Sequence, residues 1–135
     1  TLSDEPVVSM DFYPTFLEIA DLKPTGKKPI DGESLVSLFQ QTGKPKRREL
    51  FFHFPNYAWH MDNRLGAAVR AGDHKLIRNY DDGSVELYNL KSDLGETKNL
   101  AKRHPNLAKR LDRKLGWWLK ETDAWMPKPP KPSGK

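Results

Sequence analysis

Apolar residues recur at helical spacing near both ends of the chain and alternate with polar ones in between. From Pro6 to Leu22 the residues Val8, Phe12, Phe16, Leu17, Ile19 and Ala20 share a helical period, which predicts a short helix over 12–21 with Pro14 in its first turn. Lys23 to Ile30, with two prolines, a glycine and three lysines, reads as a loop. Asp31-Gly32-Glu33-Ser34 supplies a turn and a helix N-cap, and Leu35, Leu38 and Phe39 mark the buried side of a second short helix ending near Gly43. The period then changes to two. Glu49 to Phe54 is strand-like, with Leu50, Phe52 and Phe54 on one face and Phe51 and His53 on the other. Ala67 to Arg70 and His74 to Tyr80 flank the turn Gly72-Asp73, and Asp81-Asp82-Gly83 leads into a last strand, Val85 to Leu90. From Pro105 the helical period returns. Leu107, Ala108, Leu111, Leu115, Trp118 and Leu119 fall within about a third of a helical wheel, with Lys109, Arg110, Arg113, Lys114, Lys120 and Trp117 opposite. His104 is placed to cap this helix and Pro105 to begin it.

The predicted fold class is therefore α+β: short N-terminal helices, a four-stranded antiparallel sheet as a meander, and a long C-terminal amphipathic helix covering one sheet face. Apolar residues stand on both faces of the strands, for instance Leu76 and Tyr80 opposite Ile77, so the other face is expected to be covered by something outside these residues. Residues 6–40 likewise present apolar faces with few partners in the chain, which predicts an exposed hydrophobic patch.

Composition narrows the chemistry. In 135 residues there is no Cys, which excludes disulfides, thiolate metal sites and cysteine nucleophiles. No apolar run approaches the roughly 20 residues of a membrane span, and no nucleic-acid module signature is present, so neither a membrane span nor a nucleic-acid partner is expected. The net charge of +5 is uneven: residues 1–43 carry −4, residues 44–99 +2 and residues 100–135 +7. Lys44 to Arg48 reads as a basic linker and Met126 to Lys135 as an extended Pro/Lys-rich tail. There is no nucleophile elbow and no phosphate-cradling glycine loop, and Asp81-Asp82-Gly83 is explained by turn chemistry. The segment Asn56 to Leu65 carries Tyr57, Trp59, His60, Asp62 and Arg64 without a clear period, making it the most chemically loaded loop.

Six phrases in order resemble the C-terminal part of type I, formylglycine-dependent sulfatases of the alkaline-phosphatase superfamily. They are Pro6 to Ala20, Asp31-Gly-Glu-Ser-Leu35, Glu49-Leu-Phe-Phe-His-Phe-Pro55, Ala68-Val-Arg-Ala-Gly-Asp-His-Lys-Leu-Ile77, Glu86-Leu-Tyr-Asn-Leu90 and Asp93-Leu-Gly-Glu-Thr-Lys-Asn-Leu-Ala101. The resemblance implies that residues 1–43 end a catalytic domain, that 44–125 form an accessory subdomain of sheet plus helix, and that 126–135 are a tail. It implies calcium and formylglycine for the parent enzyme, and neither for this chain, which lacks the Cys/Ser-x-Pro-x-Arg motif and is expected to be inactive alone. The implied partners are the N-terminal catalytic domain of the same polypeptide and a sulfated carbohydrate or aryl sulfate. Export to the periplasm or beyond is implied by the same relatives, and the opening Thr-Leu-Ser-Asp fits a piece of a longer chain. His53, Tyr57, His60 and Arg64 are the expected substrate-binding residues, since Arg and His donate to sulfate oxygens and aromatic rings stack on sugars. Two alternatives stay open: a stand-alone basic module for an anionic polymer, and the same part of a phosphate or phosphonate ester hydrolase.

Overall fold

The computed structural model describes residues 2–26, 29–56 and 64–127. The chain forms two compact units, residues 1–47 and 48–135. The tail from residue 128 lies outside the described residues.

In the first unit a 3₁₀ turn, Ser9–Asp11, runs into helix α1, Phe12–Ile19, and a single helical turn, α2, spans Val36–Phe39. Two of the three buried side chains among the described residues here are polar. Asp11 and Thr15 are fully enclosed, whereas Phe16 and Ile19 are 64% and 63% exposed. The Asp11 carboxylate accepts hydrogen bonds from the backbone N–H of Val8 (2.9 Å) and of Glu33 (3.1 Å) and is gripped by both terminal nitrogens of Arg47. Thr15 Oγ1 donates to the Asp11 carbonyl (2.6 Å) and accepts from Leu35 N–H (2.9 Å). The α1 face turned toward its own unit therefore satisfies backbone groups of the 33–35 turn, and its apolar face is left outside. Arg47 also donates to the Pro6 carbonyl (3.0 Å), so the stretch read as a linker closes the first unit. Phe39, expected inside, is 61% exposed because α2 ends after one turn, while Leu35 alone of its apolar set is buried. Gly32 is fixed by close approach: a Cβ there would lie 2.1 Å from the Met10 carbonyl oxygen.

The second unit is the predicted meander. Strands β1 (Glu49–Phe54), β2 (Gly66–Ala71), β3 (His74–Asn79) and β4 (Val85–Asn89) pair antiparallel in the order 1-2-3-4, with Phe51 opposite Val69 and Val69 opposite Leu76. Helix α3, Pro105–Glu121, lies on the face carrying Ala67, Val69, Leu76 and Leu87 and buries Ala108, Leu111, Leu115 and Leu119 there. Phe51 extends this core by stacking on Trp118, with ring centroids 5.0 Å apart. Pro105 begins the helix as expected, but the His104 side chain makes no capping bond. The 93–101 segment is organised by its polar side chains. Asp93 accepts from the N–H groups of Thr97 and Lys98 at 3.0 and 2.8 Å, and Asn99 Oδ1 takes the Leu87 N–H at 3.1 Å. The edge of β4 is thus partly closed by its own downstream loop.

Candidate functional site

Strand alternation assigns the side chains opposite α3 to a second face: Phe52 and Phe54 from β1, Ala68 from β2, Lys75, Ile77 and Asn79 from β3, Glu86 and Tyr88 from β4. No element among the described residues of this unit covers it. Phe52 and Phe54 are half-exposed here because α3 occupies only the opposite side. The face holds a concavity of about 320 Å³, rimmed by Phe52, Phe54, Arg64 and Lys75 and floored by Ala68, Ile77, Asn79 and Glu86. That volume lies within the range of small-molecule sites.

The polar groups of this concavity are arranged around Glu86. Its Oε1 accepts from Asn79 Nδ2 (3.1 Å) and its Oε2 from the Tyr88 hydroxyl (2.8 Å), so the carboxylate is held in one orientation. Arg64, just ahead of β2, places a guanidinium nitrogen 3.6 Å from Glu86 Oε1 while most of its side chain stays in solvent. An exposed pair at that distance contributes little to stability, which leaves the guanidinium free to take an incoming anion. Lys75 is engaged by Glu96 at 2.6 Å, not by Glu86.

Burial, the Glu86 hydrogen bond and the charges of Glu86, Glu96 and Asp93 together push the Tyr88 hydroxyl up to about 12. Because the folded value exceeds the ordinary 10.0, the associated stabilisation is complete below pH 10 and is lost as pH rises toward 12. An ultraviolet titration is expected to show one tyrosine ionising about two units late, and Tyr88→Phe should remove that step; retention of the step in the variant would reassign it.

Of the expected site residues the structure describes His53 and Arg64, and it does not bring these two together. Arg64 stands at the concavity, whereas His53 points to the helix face, where its Nδ1 lies 3.0 Å from the Tyr80 hydroxyl and its Nε2 2.9 Å from the Trp125 carbonyl oxygen. A carbonyl only accepts, so Nε2 carries the proton and Nδ1 accepts from Tyr80. His53 thereby ties β1 to the chain beyond α3. Tyr57 and His60 lie outside the described residues. Phe52, Phe54, Asn79 and Glu86 were not singled out from the sequence, although strand alternation had already put Phe52 and Phe54 on one face.

Among the described residues no group of three His, Asp or Glu side chains is placed to hold a metal ion. With no Cys in the chain, there is also no precursor of a formylglycine of the cysteine type. These residues do not fit either group.

Residues 1–121 match the family model described as N-sulphoglucosamine sulphohydrolase, C-terminal. A sulfatase of Formosa agariphila is 40% identical over 136 residues, covering 89% of this chain and 24% of that protein. Arylsulfatase K of Homo sapiens is 34% identical over 119 residues, covering 81% and 21%. Among solved structures, BT4656 in complex with its substrate D-glucosamine-2-N,6-O-disulfate superposes with a TM-score of 0.68 at 28% identity, covering 84% of this chain and 24% of that one. The chain thus spans about a quarter of the length of these relatives. With its meander and long helix in the matched region, the chain belongs to the N-sulphoglucosamine sulphohydrolase C-terminal family.

Proposed function

We propose that the chain completes an enzyme that hydrolyses the sulfate ester or sulfamate of a sugar, and that its open sheet face forms one wall of the sugar site. The observation that carries this is the exposed Arg64 guanidinium, only loosely paired with a fixed Glu86 carboxylate at the edge of an aromatic-rimmed concavity. Arginine offers paired donors to sulfate or carboxylate oxygens, Glu86 accepts from sugar hydroxyls, and Phe52 and Phe54 present ring faces to sugar C–H groups. Calcium and formylglycine belong, on this reading, to the rest of the enzyme, and the bond-breaking step is not assigned to any residue here. The apolar side of α1, carrying Phe12, Phe16 and Ile19, supports a role as a docking face for that remaining part. The family model's name and the ligand of BT4656 both concern sulfated glucosamine, which makes N- and O-sulfated glucosamines the first substrates to test.

The test is sulfate release by the full-length gene product. Arg64→Ala is expected to raise KM for a sulfated sugar about tenfold with a smaller change in kcat, as for loss of one charge-assisted contact. Unchanged KM across several sulfated sugars would remove Arg64 from the site. A full-length protein that releases phosphate and no sulfate would replace the reading with the phosphoesterase alternative.

A further inference from the structure

The outward side of α3 carries its own pattern. On a helical wheel Lys109, Arg110, Arg113, Trp117 and Lys120 fall within about 100° of arc, opposite the buried Ala108, Leu111, Leu115 and Leu119. All five are exposed, Trp117 at 63%. The other charges of the helix have separate engagements. Arg78 holds Asp112 at 2.6 Å and Glu49 pairs with Lys114, while Glu121 sits at the C-terminal edge of the stripe. Among the described residues the side chains of Lys109, Arg110, Arg113 and Lys120 have no hydrogen-bond or ion-pair partner.

This arrangement works against the helix itself. Lys109 and Arg113 are four residues apart and Arg110 and Arg113 three, so both are like-charge neighbours that oppose helix formation. A large indole in solvent between three of these cations adds unburied apolar surface. Both features become favourable together when a polyanion with flat apolar faces lies along the stripe.

We propose that this face of α3 is a secondary binding surface for a sulfated polysaccharide, separate from the concavity on the other side of the sheet. The stripe extends about 17 Å from Lys109 to Lys120, long enough to engage successive sugar units of one chain. Arg110, Arg113, Lys109 and Lys120 pair with sulfate or carboxylate groups, and Trp117 stacks on the C–H face of a ring. A membrane surface fits less well, because the apolar face of α3 is already spent on the sheet. The choice of a glycan over a nucleic acid rests on the sugar-sulfate reading above; the surface itself rests on the charge and Trp117 geometry.

The experiment measures binding of the full-length protein to dextran sulfate, with neutral dextran, a homopolymeric RNA and phosphatidylserine vesicles as comparisons. Dextran sulfate should bind in a salt-sensitive manner, weakening about tenfold or more between roughly 50 and 200 mM salt. The triple variant Lys109→Glu, Arg113→Glu, Lys120→Glu should lose at least about tenfold in affinity, and Trp117→Ala several-fold, with circular dichroism confirming the fold in each. Sulfate release from a monosaccharide should be unaffected in both variants. Binding to dextran sulfate no tighter than to dextran, or unchanged in the triple variant, would overturn the proposal, as would tighter binding of RNA or vesicles through the same residues. If the protein releases no sulfate yet binds dextran sulfate through these residues, the surface stands and the proposed reaction falls.

Discussion

Asp11→Ala is expected to unfold the N-terminal unit, at a cost of about 3–5 kcal/mol, because it leaves the half-buried Arg47 guanidinium and two backbone N–H groups without their acceptor. The unit has few other anchors: its enclosed side chains are Asp11, Thr15 and Leu35, and its large apolar residues face outward. Removing both charges, in Asp11→Ala with Arg47→Met, should cost less than the two single changes together, since no unpaired buried charge remains. All four tryptophans lie beyond residue 47, so fluorescence would miss this event. Hydrogen exchange of the amides of residues 8–39 is the suitable measurement. Protection unchanged in Asp11→Ala would show that something else holds the unit.

The same network gives an acid limit. Burial alone would raise the Asp11 carboxyl, but the hydrogen bonds from Arg47, Val8 and Glu33 and the Arg47 charge outweigh it and hold the group below the ordinary 3.8. A depressed folded value means that the contribution is fully present above 3.8 and is lost as pH falls through the lower folded value. The first unit should therefore lose amide protection progressively as pH falls from 3.8 toward that lower value.

The second large effect belongs to the sheet and helix. Leu115→Ala removes a fully enclosed side chain from the cluster of Val69, Leu76 and Leu87, and roughly 3–5 kcal/mol of stability should go with it. Urea titration followed by tryptophan fluorescence reads this unit directly, because Trp118 stacks on Phe51 in the same core. Phe52→Ala, on the open face, should cost under about 1 kcal/mol in the isolated chain. A comparable loss in the two variants would mean that the open face is covered after all.

Much of the second unit was legible beforehand because its periods are strong. Alternation over 49–54 and 66–89 and the helical stripe from Leu107 to Leu119 each repeat one local geometry, and the observed strands differ from the expected ones by a residue or so. The first unit was harder to read. There the apolar period of Phe12, Phe16 and Ile19 is real, yet the side of α1 facing its own unit is the polar one, because the 33–35 turn needs acceptors more than it needs apolar cover. A period says which residues share a face; it does not say which face finds a partner within the same unit.

The candidate site divides along the same line. The family resemblance together with residue type grouped His53 with Arg64 as expected sulfate and sugar contacts. Strand parity turns His53 toward α3, where Tyr80 and the Trp125 carbonyl engage both ring nitrogens, and leaves Arg64 at the concavity with Glu86. What the sequence determined by itself was the family, the order of elements and the core of the sheet–helix unit, since these follow from local periodicity and ordered phrases. Which polar groups meet was decided only by the tertiary structure, because Asp11 with Arg47 and Asn79 with Glu86 depend on register and on turns that bring distant backbone together.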